Sequence, residues 1–475
     1  MRTLLIGNSR TEDMVGDLTR LSAQAREAAA YGAHRMLWWA RAGDVLLLPT
    51  PPGDAFTAYV TGLTGTPRES LTVLTPPPGR LGDGLLTPDR LADGVLHETL
   101  RTTLRETLRA MSREPHDPST DPATGPSGDP STGPSAVPPA LRILPIYADA
   151  AVAGLARRLG AEAALPGHAF HAQGGSALVN SKAAFRAVAA GAGVPIAPGT
   201  VLAEPGEAAR AIGALLGEGH CAIVKQEFSG GGQGNEILAP APGVEPAGAP
   251  RTVVLSGRAA VEAYVADRWP WLTEGGRHRL AVERYYVGAV PVYAEFDVGD
   301  HAVDLVGTGE MLTDSVVVGE IVPAEATLPA DAVAELITVG RQLCEAYRTL
   351  GYRGTISADA YRTAEGEIRF CEANGRITGS THLHTVMAAR LVGPELRPRR
   401  VLLSGECPAP ALPVAVAALD AAGLAFDPAT GTGVVIVNEF GPAAGVALYC
   451  AVAEDVAGAR EQQRALARLF AKAPV

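Results

Sequence analysis

Between Gly354 and Arg376 the chain reads GTISADAYRTAEGEIRFCEANGR, and no other stretch restricts the fold as much. Two strand-like runs, Thr355 to Arg362 and Ile368 to Glu372, flank Ala364-Glu365-Gly366-Glu367. A four-residue connection with Gly inside it predicts a β-hairpin. If Thr363 pairs with Ile368, Asp359 falls opposite Glu372, with β-carbons about 4.5–5.5 Å apart on one face. Asn374, two residues beyond Glu372, projects to the same side of an extended chain. Facing carboxylates repel, and burial sharpens the repulsion. A divalent cation removes the conflict, and Asp, Glu and Asn offer hard oxygens suited to Mg²⁺ shared with phosphates. The bland alternative is a solvated hairpin carrying two unrelated acids.

A second constraint is Cys221-Ala222-Ile223-Val224-Lys225, a buried-type strand ending in Lys and followed by QEFSGGGQGNEIL. A strand Lys before a Gly-rich loop suits a phosphate cradle. Gly230, Gly231, Gly232 and Gly234 let backbone N–H groups approach an anion, and Lys225 adds charge. Ser229 and Gln233 belong to the same candidate nucleotide loop. It is not a Walker A loop, because the Lys precedes the glycines and no GKS or GKT follows. A flexible hairpin tip is the competing reading. Upstream, Asn180-Ser181-Lys182 opens the helix SKAAFRAVAAGAG, which Asn180 or Ser181 can cap. A Lys in the first helical turn opposes the macrodipole unless it faces an anion; an ordinary exposed Lys is the alternative.

These spacings resemble the ATP-grasp ligases. In that family an Asp on one strand and Glu-x-Asn on the next hold two Mg²⁺ ions on the ATP phosphates. Asp359, Glu372 and Asn374 match at the spacing of the D-alanine ligase branch. Arg376 matches the Glu-x-Asn-x-Arg version of the biotin carboxylase branch. Its planar guanidinium suits a phosphate or a tetrahedral oxyanion; a salt bridge to Asp359 or Glu372 is the other reading. Lys182 stands thirteen residues before Pro195, as a phosphate-contacting Lys does in D-alanine ligases. Lys225 and the glycines match the family's strand Lys and mobile loop, so Lys225 and Arg376 are the catalytic candidates. Leu280 to Val287, LAVERYYV, resembles the hinge that receives adenine. That implies roles for Glu283 and for the backbone near Tyr285 and Tyr286; a plain strand-edge acid is the alternative for Glu283. Two positions depart from D-alanine ligases: Val290 replaces the acid that meets the ribose, and Ser357 replaces an Arg that steadies the reacting oxygens.

The resemblance covers about Asn180 to Arg390. It implies an α/β (α+β) chain with the ATP-grasp fold, ATP and Mg²⁺ as cofactors, and an N-terminal parallel α/β pre-ATP-grasp domain. Residues 1–179 fit that domain. Leu4 to Gly7, Asp44 to Leu48 and Leu71 to Leu74 read as strands, and Asp17 to Tyr31 as a helix between the first two. No GxGxxG follows the first strand, so no dinucleotide site is assigned. Trp38-Trp39 reads as packing. Residues 114–140 are dominated by Pro, Gly, Ser, Thr and Asp, and bury too little to offset their ordering entropy, which predicts a disordered or extended linker. Deleting Pro118 to Ser135 is therefore expected to leave melting temperature and activity nearly unchanged, since loop-closure entropy varies slowly with length. A large drop in melting temperature would make the linker structural.

Residues 180–400 hold the glycine-loop and metal lobes. Ala259 to Asp267 reads as a helix with Trp269-Pro270-Trp271 packed at its end. Val292 to Val298, Val303 to Thr308 and Ser315 to Val322 read as antiparallel strands, leaving open which of Glu295, Glu310 and Glu320 faces the site. Ala330 to Leu350 reads as a long helix. His382 and His384, at i and i+2, do not share a helix face; they read as structural residues, not zinc ligands. Residues 401–475 form an added α+β module, which suggests substrate gating or homodimer formation.

A net charge of −11 argues against nucleic acid or anionic membrane as a general partner. The five cysteines form no CxxC pair and their count is odd, which suggests a reducing cytoplasm. The opening MRTLLIGNSRTEDM does not read as a signal peptide. The linker and the added module resemble those of a peptide-forming member of the family. That implies a small amino-acid-like carboxylic acid, a peptide amine, and an ADP-forming ligation through an acyl phosphate. A carboxyphosphate-type carboxylase and a nucleotide-binding regulator without turnover are the other readings.

Overall fold

Three sheets order the described residues, 1–111, 141–439 and 445–471, of this computed structural model. The 114–140 linker lies outside the described residues. The first sheet runs Thr72–Leu74, Val45–Leu47, Arg2–Ile6 and Leu141–Pro145, all parallel. Parallel strands covered on both faces read as continuous apolar runs, and Leu4, Leu5, Ile6 and Val45 to Leu47 are buried. The chain winds one way from Arg2–Ile6 to Val45–Leu47 and the other way to Leu141–Pro145. That makes a switch-point crevice beyond the strand ends. Asn8 spans it, donating to Tyr147 O at 2.6 Å and accepting from Tyr147 N at 3.1 Å.

The first long helix begins at Ala23, not Asp17. Asp17 caps a single 3₁₀ turn, Leu18–Arg20, and Ser22 caps the helix Ala23–His34 through Ala25 N. Trp38 is buried and donates to Val437 O at 2.7 Å, so it packs the N-terminal region against the C-terminal strands.

The second sheet has the order Gly199–Leu202, Leu280–Tyr285, Cys221–Gln226, Asn235–Ala239, Thr252–Val254. Helices Pro205–Gly217 and Arg258–Leu272 share its core. The latter helix continues through Trp269-Pro270-Trp271, past the expected end at Asp267. Packing overrides the proline: Trp269 and Trp271 lie against the core, and Arg268 stacks 4.2 Å over the Trp271 ring.

The third sheet has eight antiparallel-paired strands. In order they are Ile368–Asn374, Gly354–Arg362, Val290–Val298, Val303–Asp314, Val316–Val322, Val401–Pro408, Val446–Ala453 and Gly433–Glu439. The C-terminal strands thus extend the same sheet that carries Asp359 and Glu372. Helix Ala330–Leu350 packs on this sheet and ends at Gly351, whose φ of +110° suits glycine. Val303–Asp314 runs six residues beyond the expected Thr308, to a turn at Ser315 with φ +62°. Ser315 O accepts from Gly248 N at 2.7 Å and Ala249 N at 3.0 Å, joining the second and third sheets. Among the described residues no helix is long and apolar enough to cross a membrane.

Candidate functional site

The second and third sheets enclose a cleft of about 310 Å³ lined by Lys225, Gly231, Gly232, Glu283, Asp359, Glu372, Asn374 and Arg376 among others. Its floor is the metal-type hairpin. Asp359 and Glu372 are paired partners, as expected, but by a different register. Arg362, not Thr363, pairs with Ile368, because Thr363 N donates to Glu367 O at 2.9 Å and closes a tighter loop, Ala364-Glu365-Gly366. A β-bulge then leaves Cys371 without a partner and brings Asp359 back opposite Glu372.

Asn374 lies between the two acids, donating to Asp359 Oδ2 at 2.8 Å and Glu372 Oε1 at 3.2 Å. Ser357 donates to Asp359 Oδ1 at 2.6 Å. Burial, with the Glu372 charge beside it, pushes the Asp359 carboxyl well above the usual carboxylate range. Burial acts on Glu372 too, but Lys182, Lys225 and the Asn374 amide overcome it and hold Glu372 low.

Ser181, not Asn180, caps the helix Lys182–Gly191, accepting from Ala184 N at 3.0 Å. Asn180 instead accepts from Arg376 at 2.6 Å, so neither metal-type acid claims that guanidinium as a hydrogen-bond donor. The buried Lys182 is 3.2 Å from Glu372 Oε2 and donates to Ser229 O at 2.8 Å. One ammonium thus joins the hairpin to the glycine loop. Lys225 is buried 2.8 Å from Glu283 Oε2. Burial disfavours its charge, but Glu283 keeps its pKa above the ordinary lysine value. The other Glu283 oxygen lies 3.1 Å from Arg186 without hydrogen-bond alignment. Glu283 is therefore a buried acid on the cleft wall shared by two cations, not a strand-edge acid.

The loop between Cys221–Gln226 and Asn235–Ala239 turns through Gly231 and Gly232, at φ +61° and +79°. A β-carbon on Gly232 would come within 2.7 Å of Gly248 O, which Asn235 also engages at 2.8 Å. Gly230 and Gln233 close the loop's own turn, at 3.2 Å from Gln233 N to Gly230 O. Lys182, Ser229, Gly230 and Gln233 are not among the residues lining the cleft; Gly231 and Gly232 are. On the same wall, Tyr285 donates to Ala247 O at 3.2 Å. Tyr286 packs on Tyr361 with ring centroids 5.6 Å apart and lies under Arg284.

The strand pairing decides among the acids left open by sequence. Glu310 pairs with Val292 and Ile321, both in the core, so it lies on the face away from the cleft. Glu320 pairs with Met311 on the cleft face. Glu295 is buried under Thr378 and Thr381, at 3.0 and 2.9 Å, and burial pushes it to about 8. Burial pushes His382 and His384 down to about 3. His384 meets Tyr293 at 3.0 Å, while both ring nitrogens of His382 lack partners.

Sequence reading missed Arg10 and Arg35. Arg10 follows the first strand at the switch point and is exposed there. Arg35 is pushed down to about 10 by burial and by the charges of Arg10 and Arg376, and its Nε has no partner. Ile377 N donates to Ile146 O at 2.9 Å, which places Arg376 at the same seam. The available signal was positional: Arg10 lies just past a parallel strand, where such sheets bind ligands.

Comparison with known proteins agrees with this architecture. Residues 33–116 match the Pre ATP-grasp domain family, and residues 414–466 match the PGM1 C-terminal domain family. No curated protein matches the chain. Among solved structures, the ADP complex of an N5-carboxyaminoimidazole ribonucleotide synthetase superposes with a TM-score of 0.54 at 11% identity, covering 99% of this chain and 96% of that one. The biotin carboxylase of Campylobacter jejuni gives 0.52 at 12% identity, covering 98% and 90%. The ADP-bound N5-carboxyaminoimidazole synthetase of Staphylococcus aureus gives 0.51 at 14% identity, covering 98% and 96%. The chain has the ATP-grasp fold, with a parallel pre-ATP-grasp sheet ahead of it.

Proposed function

We propose that the chain is an ADP-forming ATP-grasp ligase that joins an amino-acid-like carboxylate to a peptide amine. The observation that carries this is the facing Asp359–Glu372 pair, with Asn374 between the acids and Lys182 linking Glu372 to a glycine loop. The donor set fits the implied cofactors. Two facing carboxylates make a hard-oxygen site, to which Asn374 would add its amide oxygen once its Nδ2 contacts to both acids give way to a cation; burial and the Glu372 charge raise Asp359, a conflict that a cation relieves. Asp359, Glu372 and Asn374 would hold Mg²⁺, which supplies charge neutralisation at phosphate oxygens.

The chain's own groups then have defined tasks. Lys225 meets phosphate oxygens in the cleft, Lys182 adds positive charge from behind Glu372 and the glycine loop, Gly231 and Gly232 admit backbone N–H groups to the phosphates, and Tyr285 and Tyr286 wall the nucleotide end. The substrate carboxylate attacks the γ-phosphorus of ATP, ADP leaves, and an acyl phosphate results. Arg376 steadies the oxyanion formed when the amine attacks the carbonyl. Closure between the two sheets excludes water. The exposed Arg10 and the partner-less Arg35 Nε suit the acid's negative charge. The chain also resembles the stand-alone peptide ligase of pheganomycin biosynthesis, which points to phenylglycine-type guanidino acids as the first acyl candidates. A cytoplasmic enzyme, its 401–475 module gating substrate or forming a dimer, completes this reading.

A carboxylase acting through carboxyphosphate is the second reading. It is favoured by Arg376 in the Glu-x-Asn-x-Arg pattern and by the likeness to a biotin carboxylase fold. ADP release should be screened against paired acids and amines, with mass spectrometry of the products. An amide with ADP and phosphate supports ligation. Bicarbonate-dependent ADP release supports the carboxylase; no turnover with any acid–amine pair overturns the ligase, and none with bicarbonate overturns the carboxylase.

A further inference from the structure

We propose that Glu320 is the general base that accepts the proton of the attacking amine, an assignment that rests on the ligase reading above. The strand registers place it. Tyr293 pairs with Asp359 on one side and Gly309 on the other, and Met311 pairs with Glu320. Paired residues and residues two apart share a face. Asp359, Tyr293, Met311 and Glu320 therefore stand side by side on the cleft face, and all four line the cleft.

Its surroundings suit a base. Tyr293 donates to Glu320 Oε2 at 2.9 Å, and His384 Nε2 lies 3.0 Å from the same hydroxyl. The Tyr proton is committed to Glu320, so His384 must donate from Nε2, which fixes a neutral tautomer. The Arg35 charge is also within electrostatic reach of Glu320. Burial raises the proton affinity of Glu320, while the Tyr293 hydroxyl and the Arg35 charge favour its ionised form.

The other candidates fail on geometry or charge. Asp359 and Glu372 are committed to the Asn374 and Lys182 network. Glu310 is on the far face. Glu295, clamped by Thr378 and Thr381 and shifted to about 8, is already protonated at neutral pH. His382 and His384, at about 3, are too weak as bases.

A peptide α-amine has a pKa of about 7.7–8.0, so near neutrality much of it needs to lose a proton before attack. In the proposed step the nitrogen lone pair forms the C–N bond and the carbonyl π pair moves to oxygen. Before that attack the Glu320 carboxylate takes a proton from the α-ammonium to free the lone pair, and the N–H proton lost after attack goes to the departing phosphate. The carbonyl then re-forms, the C–O bond to phosphate breaks, and phosphate leaves with that electron pair.

The test uses the full chain with ATP, Mg²⁺ and a phenylglycine-type acid, offering either hydroxylamine or a tripeptide as acceptor. Hydroxylamine is a largely neutral nucleophile near pH 7 and needs no base to become one. Glu320→Gln should lower peptide amide formation about 10²-fold or more, yet lower hydroxamate formation no more than about threefold on the same grounds. Glu310→Gln should leave both unchanged. Tyr293→Phe removes a donor to the carboxylate, so the acid limb of the peptide pH–rate profile should move to higher pH. Equal loss with both acceptors, no loss with the peptide, or an unmoved limb in Tyr293→Phe would each overturn the assignment. If no acid gives a hydroxamate with the unmodified chain, the ligase reading itself falls, and this assignment with it.

Discussion

Replacing Glu372 by Gln is expected to lower ADP formation about 10²–10³-fold, the scale seen when one electrostatic stabiliser is removed from a reacting centre. Glu372 is one of the hairpin's two facing carboxylates, and it is the one that Lys182 and Lys225 hold low. Gln keeps an oxygen for the Lys182 ammonium, now 3.2 Å from Glu372, and Lys182 retains Ser229 O at 2.8 Å. The buried cation is therefore not stranded, and the melting curve should change little. Steady-state ADP release and thermal melting check the two halves, and a turnover near that of the unmodified chain would sink the metal assignment. Asp359→Asn should differ in sign on stability. It removes the carboxyl that burial and Glu372 most disfavour, so metal-free protein should melt higher, while the gain in melting temperature on adding Mg²⁺ and ADP should shrink. A lower melting temperature for metal-free Asp359→Asn would show that the pair is not held at a cost.

Much of the site was legible because its parts are local in sequence. Asp359, Glu372 and Asn374 occupy one hairpin, and period-2 alternation fixes which side chains share a face. Lys225 and the glycines occupy one strand–loop unit. Even so, the Asp359–Glu372 pairing rests on two offsetting features, the tighter loop and the bulge at Cys371, and neither is visible in the hydrophobic pattern. Contacts across long separations were not legible. Lys182 could be suspected of facing an anion from its place in the first helical turn, but not of touching both Glu372 and Ser229. Nothing in the sequence around Arg186 signals its approach to Glu283, 3.1 Å away but distant in the chain. The choice of Glu320 over Glu310 needed the register of Val303–Asp314 against both neighbours, since each acid alone fits either face. The helix end at Leu272 was misplaced because local proline chemistry lost to the packing of two partly buried tryptophans.

Replacing Lys225 by Ala is expected to weaken ATP binding about 10–100-fold, the value of a hydrogen bond to a charged group. The loss has two sources that can be separated. The ammonium leaves the phosphate site, and Glu283 is left on the cleft wall with only one of its two cations. Glu283 is buried, so its uncompensated charge is poorly screened and repels the same phosphates. Arg186 stays 3.1 Å away on the other oxygen, which should keep the strand folded. Combining Lys225→Ala with Glu283→Gln should then recover part of the lost affinity, because the repelling charge goes with its partner. Isothermal titration with a non-hydrolysable ATP analogue measures the four corners of this cycle, and coupling between neighbouring groups appears as non-additivity. Unchanged affinity in Lys225→Ala would remove the lysine from the nucleotide site. Strictly additive losses would instead mean that Glu283 meets the nucleotide in its own right and does not act through Lys225.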